Sequence, residues 1–255
     1  MMKPLLIAFN FDYTIADDNT GIVIRSLLEG DDCLVKIERI YETECCPTYM
    51  RKVFEFIHVK GRREKDVGKA ISSIQPVNGF PSLLKKLHSQ GVEIIIISDA
   101  NTYFIDFWLK HHKLVHTIKE IFTNPAWFDR KGLLRIDTYH EQDWCQFCAI
   151  NMCKGHILDN YVKRRSAEGI KFQKIAYVGN EENDYCPILR LSAEDLAFPR
   201  INYKLAKILN ENENDDVWNA VKAKILPWTV GSEIWDDLVR IPNLELQKIE
   251  SMELR

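Results

Sequence analysis

Glycine and proline are scarce, 11 and 9 in 255 residues, and opposite charges nearly cancel, 34 basic against 37 acidic side chains for a formal net charge of −3. So few turn residues exclude collagen-like repeats and low-complexity scaffolds, and 46% hydrophobic residues exclude disorder. The missing basic surplus argues against nucleic acid or an anionic membrane as the main partner. Long apolar runs are also missing. The longest aliphatic stretch, Ile94 to Ile97, falls far short of the roughly 20 residues that span a bilayer. The opening MMKPLLIAFNF has neither a signal-length apolar region nor a small-residue cleavage site. The expectation is a globular cytoplasmic protein whose partners are small molecules or other proteins. Seven cysteines, an odd number in a chain with an adequate core, do not form a disulfide framework. Cys33, Cys45, Cys46, Cys145, Cys148, Cys153 and Cys186 are expected to be mostly thiols.

What is present is α/β patterning. Three near-continuous apolar runs, Leu5 to Phe11, Glu93 to Ser98 and Lys174 to Gly179, are each followed by polar or glycine-containing turns. They predict strands of a parallel sheet covered on both faces by helices. Pro81 to Gln90, closed by Gly91, predicts a helix directly before the second strand, so the order is that of an α/β fold. Between Asp17 and Pro76 no comparable strand appears. Leu34 to Tyr41 and Met50 to Val59 have helical spacing, which predicts a helical insertion after the first strand. Lys204 to Asn210 predicts another helix, followed by the acidic run ENENDD as a solvated loop.

Polar residues collect just beyond the predicted strands, where open α/β sheets bind ligands. Asn10, Asp12 and Thr14 follow the first, with Asp17, Asp18 and Asn19 close behind. Ser98, Asp99 and Asn101 end the second, Lys154 lies in CKG, and Asn180, Asn183 and Asp184 follow the third. In this order the segments resemble the four motifs of the haloacid dehalogenase (HAD) superfamily of phosphohydrolases. More closely, ISDANT, FTNPAWF, CQFCAINMCK, YVGNEENDYCP and LAFPRINY are similar to the PHOSPHO family, which includes phosphoethanolamine/phosphocholine and pyridoxal phosphate phosphatases. The resemblance spans Met2 to Ile208.

The resemblance implies a Rossmann-like core, residues 1–16 and 77–255, with a helical cap over 17–76. It implies a Mg²⁺-dependent phosphatase acting on a small phosphorylated metabolite. An aspartate attacks phosphorus and a second, two residues on, protonates the leaving oxygen and then activates water. Mapped here, Asp12 is the acid/base, Thr14 supports its loop, Ser98 and Lys154 hold phosphoryl oxygens, and Asp99 faces the head group. Mg²⁺ would be held at positions 10, 12 (by its carbonyl) and 180, with Asp184 as a further acidic residue.

Three positions depart from that pattern. Asn10 stands where the family has its nucleophile, and Asn180 where it has its leading fourth-motif aspartate. Gly21 stands where the first-motif loop of the family carries a further acid. An amide nitrogen offers no available lone pair and an amide oxygen no net charge, so covalent attack should fail and Mg²⁺ should be weakly held. Two readings stay open at this point: a phosphatase of small metabolites, or a non-catalytic relative that binds a phosphorylated ligand or a protein.

Cys145, Cys148 and Cys153, with His140 and His156 nearby, suggest zinc, but Cys-x-x-Cys supplies half a site and no second pair follows. The expectation is a loop of buried thiols. The six tryptophans, Trp108, Trp127, Trp144, Trp218, Trp228 and Trp235, are expected in the core and at interfaces. His111 and His112 are expected at the surface near a helix C-terminus.

Overall fold

The computed structural model describes residues 1–29, 46–211, 221–244 and 246. The segment Leu34 to Tyr41, the residues of the acidic run after Glu211, and Cys33, Cys45 and Trp218 lie outside them, as does the side chain of Cys46.

Six strands form one parallel sheet: β1 (Met2–Phe9), β2 (Glu93–Asn101), β3 (Glu120–Asn124), β6 (Lys171–Gly179), β7 (Leu196–Pro199) and β8 (Lys224–Ile225), in the order β3-β2-β1-β6-β7-β8. A separate antiparallel hairpin joins β4 (Ala126–Phe128) to β5 (Leu134–Ile136). Strand alternation divides the core into two layers. Leu5, Ile7, Phe9, Ile94, Ile96, Ala176 and Val178 face one side, and Leu6, Ala8, Ile95, Ile97 and Tyr177 face the other. Continuous apolar runs are therefore required, because neither face meets water. Each buried aliphatic side chain contributes about 1.5–3 kcal/mol.

Helix α4 (Phe80–Ser89) covers the first face with Leu83, Leu84 and Leu87. Helix α6 (Lys154–Ala167) covers the second with Ile157, Leu158 and Tyr161. The chain between β1 and β2 includes α1 (Thr20–Arg25), α2 (Cys46–Val59) and α3 (Glu64–Ser73). Ile24, Met50, Val53, Phe54, Val67 and Ile71 from these helices merge with the first layer of the sheet core. Helix α5 (Thr102–His111) begins where the Asn101 side chain accepts from the Phe104 N–H at 3.0 Å. Helices α7 (Tyr185–Ile188), α8 (Lys204–Glu211) and α9 (Gly231–Arg240) complete the chain. Where α4 and α9 meet, a Cβ on Gly231 would lie 2.8 Å from the carbonyl carbon of Gly79, itself at φ +81°, so both positions require glycine.

Two expectations need correction. Trp108, Trp228 and Trp235 are buried, but Trp127 and Trp144 are about half exposed. His112 does not project into solvent: its ring lies 4.1 Å from that of Trp108 and its Nε2 is 3.3 Å from the Ile74 carbonyl.

Candidate functional site

Beyond β1 the Asn10 N–H donates to the Val178 carbonyl at 2.9 Å, extending the strand by one residue. The chain then coils so that the amides of Thr14, Ile15 and Ala16 all donate to the Phe11 carbonyl, at 3.1, 2.9 and 3.1 Å. This tight loop requires φ +54° at Tyr13, a conformation that strains a bulky side chain. The Tyr13 carbonyl is tied down by Arg200 Nη1 at 2.7 Å, and its ring packs 5.6 Å from that of Tyr203. Phe9 and Phe11 point into the core, so Asn10 and Asp12 share the opposite face.

From β6, Gly179 and Asn180 enter a turn closed by Asp184, whose Oδ2 accepts the Asn180 and Glu181 amides at 2.9 and 3.0 Å. Only glycine fits at 179, since a Cβ there would meet that oxygen at 2.5 Å. Asp184 Oδ1 accepts from Lys154 Nζ and from the Tyr177 hydroxyl, each at 2.7 Å. Both partners of the Lys154–Asp184 ion pair are buried. Burial alone would depress the Lys154 pKa, but Asp184 and Asp99 reverse the direction and keep it charged.

Asn10 joins the two halves. Lys154 Nζ donates to Asn10 Oδ1 at 3.2 Å, while Asn10 Nδ2 donates to Asn180 Oδ1 at 2.9 Å and to the Asp12 carbonyl at 3.1 Å. The orientation is forced, because the Lys154 ammonium only donates and the Asp12 carbonyl only accepts. Thr14 Oγ1 also donates to Asn180 Oδ1, at 2.8 Å, and Asn180 Nδ2 to Glu181 Oε1, at 2.9 Å.

Asp12 is buried. Its Oδ2 accepts from Thr20 Oγ1 at 3.1 Å, whereas Oδ1 has no hydrogen-bond partner among the described residues. Burial, reinforced by the charge of Asp99, pushes its pKa up to about 7. The carboxyl thus holds its proton well above the ordinary carboxylate range. Asn10, Asp12 and Asp99 line a chamber of about 770 Å³ with Tyr13, Tyr49 and Phe147. Ser98 is fully buried, and its Oγ accepts the Ala100 N–H at 3.3 Å.

Thus Asn10, Asp12, Thr14, Lys154, Asn180 and Asp184 form one hydrogen-bonded cluster although they come from three distant segments. A profile of the family described as Putative Phosphatase matches residues 5–242. The chain belongs to this family. It is the PHOSPHO group of HAD-type phosphatases, and the relatives carry corresponding names. The chain is 34% identical over 239 residues to "Probable phosphatase phospho2" of Xenopus tropicalis, covering 93% of this chain and 98% of the relative. It is 31% identical to the phosphoethanolamine/phosphocholine phosphatase of Homo sapiens, covering 90% and 86%. It is 30% identical to the pyridoxal phosphate phosphatase PHOSPHO2 of Mus musculus, covering 91% and 96%. Among solved structures, a substrate-bound phosphoserine phosphatase superposes with TM-score 0.59 at 17% identity, covering 91% and 97%. A probable phosphoserine phosphatase from Vibrio cholerae gives 0.60 at 13%, covering 91% and 63%. These two show the shared fold.

The Mg²⁺ implied by the family does not fit the residues present. The Asn10 amide nitrogen caps both the Asp12 carbonyl and Asn180 Oδ1, two oxygens at which the resemblance would seat the cation. Both Asp184 oxygens are taken up by Lys154, Tyr177 and two backbone amides. In this structure N–H and O–H groups occupy those oxygens.

Sequence reasoning missed Tyr177, whose alternation within β6 marked it only as core, and Gln142, a buried side chain in an irregular loop. It also left Cys186 out of the cluster of Cys145, Cys148 and Cys153. The structure sets Cys186 Sγ 3.5 Å from Cys145 Sγ and 3.8 Å from Cys153 Sγ.

Proposed function

We propose that this chain binds a small phosphorylated metabolite in the chamber above Asn10 and Asp12, and that the covalent phosphatase route of its family is blocked. The ligand class is that named for its relatives: phosphoethanolamine, phosphocholine or pyridoxal phosphate. One observation carries the reading. The Asn10 amide, oriented by Lys154, turns its nitrogen toward the Asp12 carbonyl and Asn180 and presents no carboxylate to phosphorus.

In this proposal Lys154 and Ser98 hold phosphoryl oxygens. Protonated Asp12 donates to the bridging ester oxygen through its unpartnered Oδ1, the half of the acid/base machinery that survives. Asp99 faces the head group, where its carboxylate suits a cationic amine. Residues 17–76 act as a cap, contributing Ile22, Tyr49 and Met50 to the chamber wall, while 1–16 and 77–255 form the core. No helix among the described residues is long and apolar enough to cross a membrane. We place the protein in the cytoplasm, where thiols such as Cys145 and Cys186 stay reduced.

The test is calorimetry with the three phosphoesters and inorganic phosphate, with and without Mg²⁺, beside a phosphate-release assay. Binding that is independent of Mg²⁺ and weakened in Asp99→Asn and Lys154→Ala is expected, without sustained release. Mg²⁺-stimulated turnover at ordinary phosphatase rates would overturn the blocked route. No binding of any of the four would overturn the ligand class.

A further inference from the structure

The loop from residue 137 to 153 contains neither helix nor strand. A structureless segment of that length inside a compact domain needs something to hold it. Part of the answer is Gln142, whose Nε2 donates to the carbonyls of Cys145, Cys148 and Ala149 at 3.2, 3.0 and 3.0 Å while its Oε1 accepts the Cys145 N–H at 2.8 Å. These bonds curl Cys145-x-x-Cys148 into a knuckle with both sulfurs on one side. Cys153 arrives from the end of the same loop, and Cys186 from α7. The four Sγ atoms all lie within 4.8 Å of one another.

These separations discriminate between two chemistries. A disulfide needs sulfurs about 2.05 Å apart, and the four residues are free thiols. A tetrahedral Zn²⁺–thiolate bond of about 2.3 Å implies an edge between sulfurs of about 3.8 Å. The separations of Cys186 Sγ from Cys145 Sγ and Cys153 Sγ, 3.5 and 3.8 Å, lie close to that edge.

The surroundings suit an anionic metal–thiolate centre. Cys153 caps the N-terminus of the 14-residue α6, whose dipole favours negative charge there. Arg190 adds a positive charge beside Cys186. At Gly155 a Cβ would lie 2.6 Å from Cys186 Sγ and 3.2 Å from Arg190 Nε, so glycine is required for this approach. The nearby histidines are engaged elsewhere: His140 Nε2 accepts the Cys153 N–H at 2.9 Å, and His156 Nε2 pairs with Asn160 at 2.8 Å.

We propose that Cys145, Cys148, Cys153 and Cys186 form a structural Zn²⁺ site. All four ligand positions are filled by protein, so the ion is structural, and through Cys148 it borders the wall of the phosphate chamber. Its place in the chain gives it a task. Cys153 immediately precedes Lys154, and Cys186 follows Asp184 by two residues, so the ion clamps together both partners of the buried ion pair. Binding releases the thiol protons as the four sulfurs become thiolates.

The full chain, purified from zinc-replete cells, is analysed by elemental mass spectrometry. One zinc per chain is expected, released in step with titration of four thiols by a mercurial. Cobalt reconstitution should give the intense thiolate-to-metal charge-transfer bands of a tetrahedral sulfur site. Cys145→Ser and Cys186→Ser should lose the metal, Cys145→His should retain it, and zinc removal should lower the melting temperature by at least about 5 °C. If the serine variants do not fold, the wild-type metal content and cobalt spectrum decide. Folded wild-type protein with four freely titrating thiols and neither zinc nor a cobalt spectrum overturns the proposal. So does a native disulfide within the quartet, or stoichiometric iron in place of zinc.

Discussion

At residue 10 the exchange of one oxygen for one nitrogen changes both charge and hydrogen-bond polarity. Asn10→Asp with Asn180→Asp should restore two carboxylates facing each other across the space now bridged by an amide. Two anions there repel unless a cation joins them. The double variant should therefore acquire Mg²⁺ binding and phosphate release on the order of a thousandfold above the starting protein. Each single change should recover much less, because position 10 alone supplies a nucleophile without a firm cation and position 180 alone a cation ligand without a nucleophile. Kinetics of the four proteins on the same phosphoesters check this. A double variant that binds Mg²⁺ yet stays at the starting rate would move the defect to the chamber wall around Gly21.

Asp12 couples stability to pH. Its pKa is raised from 3.8 to about 7 in the folded state, so between those values the folded chain keeps a proton that the unfolded chain has lost. Stability contributed by this residue must then fall as pH rises from about 4 to about 7, and level off above. Asp12→Asn should abolish that component. Urea midpoints of both proteins at pH 5 and pH 8 measure it, and parallel pH dependences would refute it.

Among the elements, β2 opens on a buried charge. Glu93 accepts from Tyr161 at 2.5 Å and from Arg165 Nε and Nη2 at 2.7 Å each, and lies 3.0 Å from Lys3 Nζ. Burial would raise its pKa, but hydrogen bonds from Arg165, Tyr161 and Lys3 prevail and lower it. The network ties β1, β2 and α6 together. Glu93→Ala should destabilise by about 3–5 kcal/mol, since it leaves Arg165 without its buried partner. The pair's stabilisation is present above the ordinary carboxylate pKa of 4.5 and is lost as pH falls through the lowered folded value. Denaturant unfolding of both proteins from pH 7 to pH 3 tests amount and sign, with the gap closing at the acid end. In the turn after β6, Gly179→Ala should push Asp184 from the Asn180 and Glu181 amides and cost phosphate affinity as well as stability. Calorimetry beside a melting curve separates the two effects.

How much was legible follows the same division. Strands β1, β2 and β6 were readable because burial on both faces demands unbroken aliphatic runs, and α4 because Pro81 and Gly91 bracket it. The hairpin β4–β5 was not, since its three-residue strands carry too few alternations to register. Asn10, Asp12, Asn180 and Asp184 were legible because strand ends in a parallel sheet converge, and Lys154, which opens α6, through the resemblance carried by CKG. The direction of the Asn10 amide was not, because it is set by Lys154, 144 residues away. Cys186 was overlooked for the same reason: its partners are 33 and 41 residues distant, beyond any local spacing rule.

For the whole molecule the continuity of the first core layer is decisive. Ile24, Val53, Phe54 and Ile71 share one cluster with Leu5, Ile7 and Ile94, so the helices between β1 and β2 have no separate core. Unfolding should be a single transition with coincident far-ultraviolet and near-ultraviolet signals. Phe54→Ala, which removes a ring packed edge-on to Phe104 at 5.9 Å, should lower stability by about 3–5 kcal/mol and keep that coincidence. An earlier transition confined to part of the signal would show that the helical segment melts by itself.

The strand order also bears on how the chain is born. β1, synthesised first, lies between β2 and β6. Asn10 must wait for Asn180, 170 residues later, before its side chain finds its partner. At ribosomal rates of 5–20 residues per second that delay is roughly 10–30 s. Throughout it one edge of β1 has no neighbour, a ready template for mispairing with another nascent chain. Vectorial synthesis thus leaves Leu5 to Phe9 without their β6 neighbour until that strand emerges.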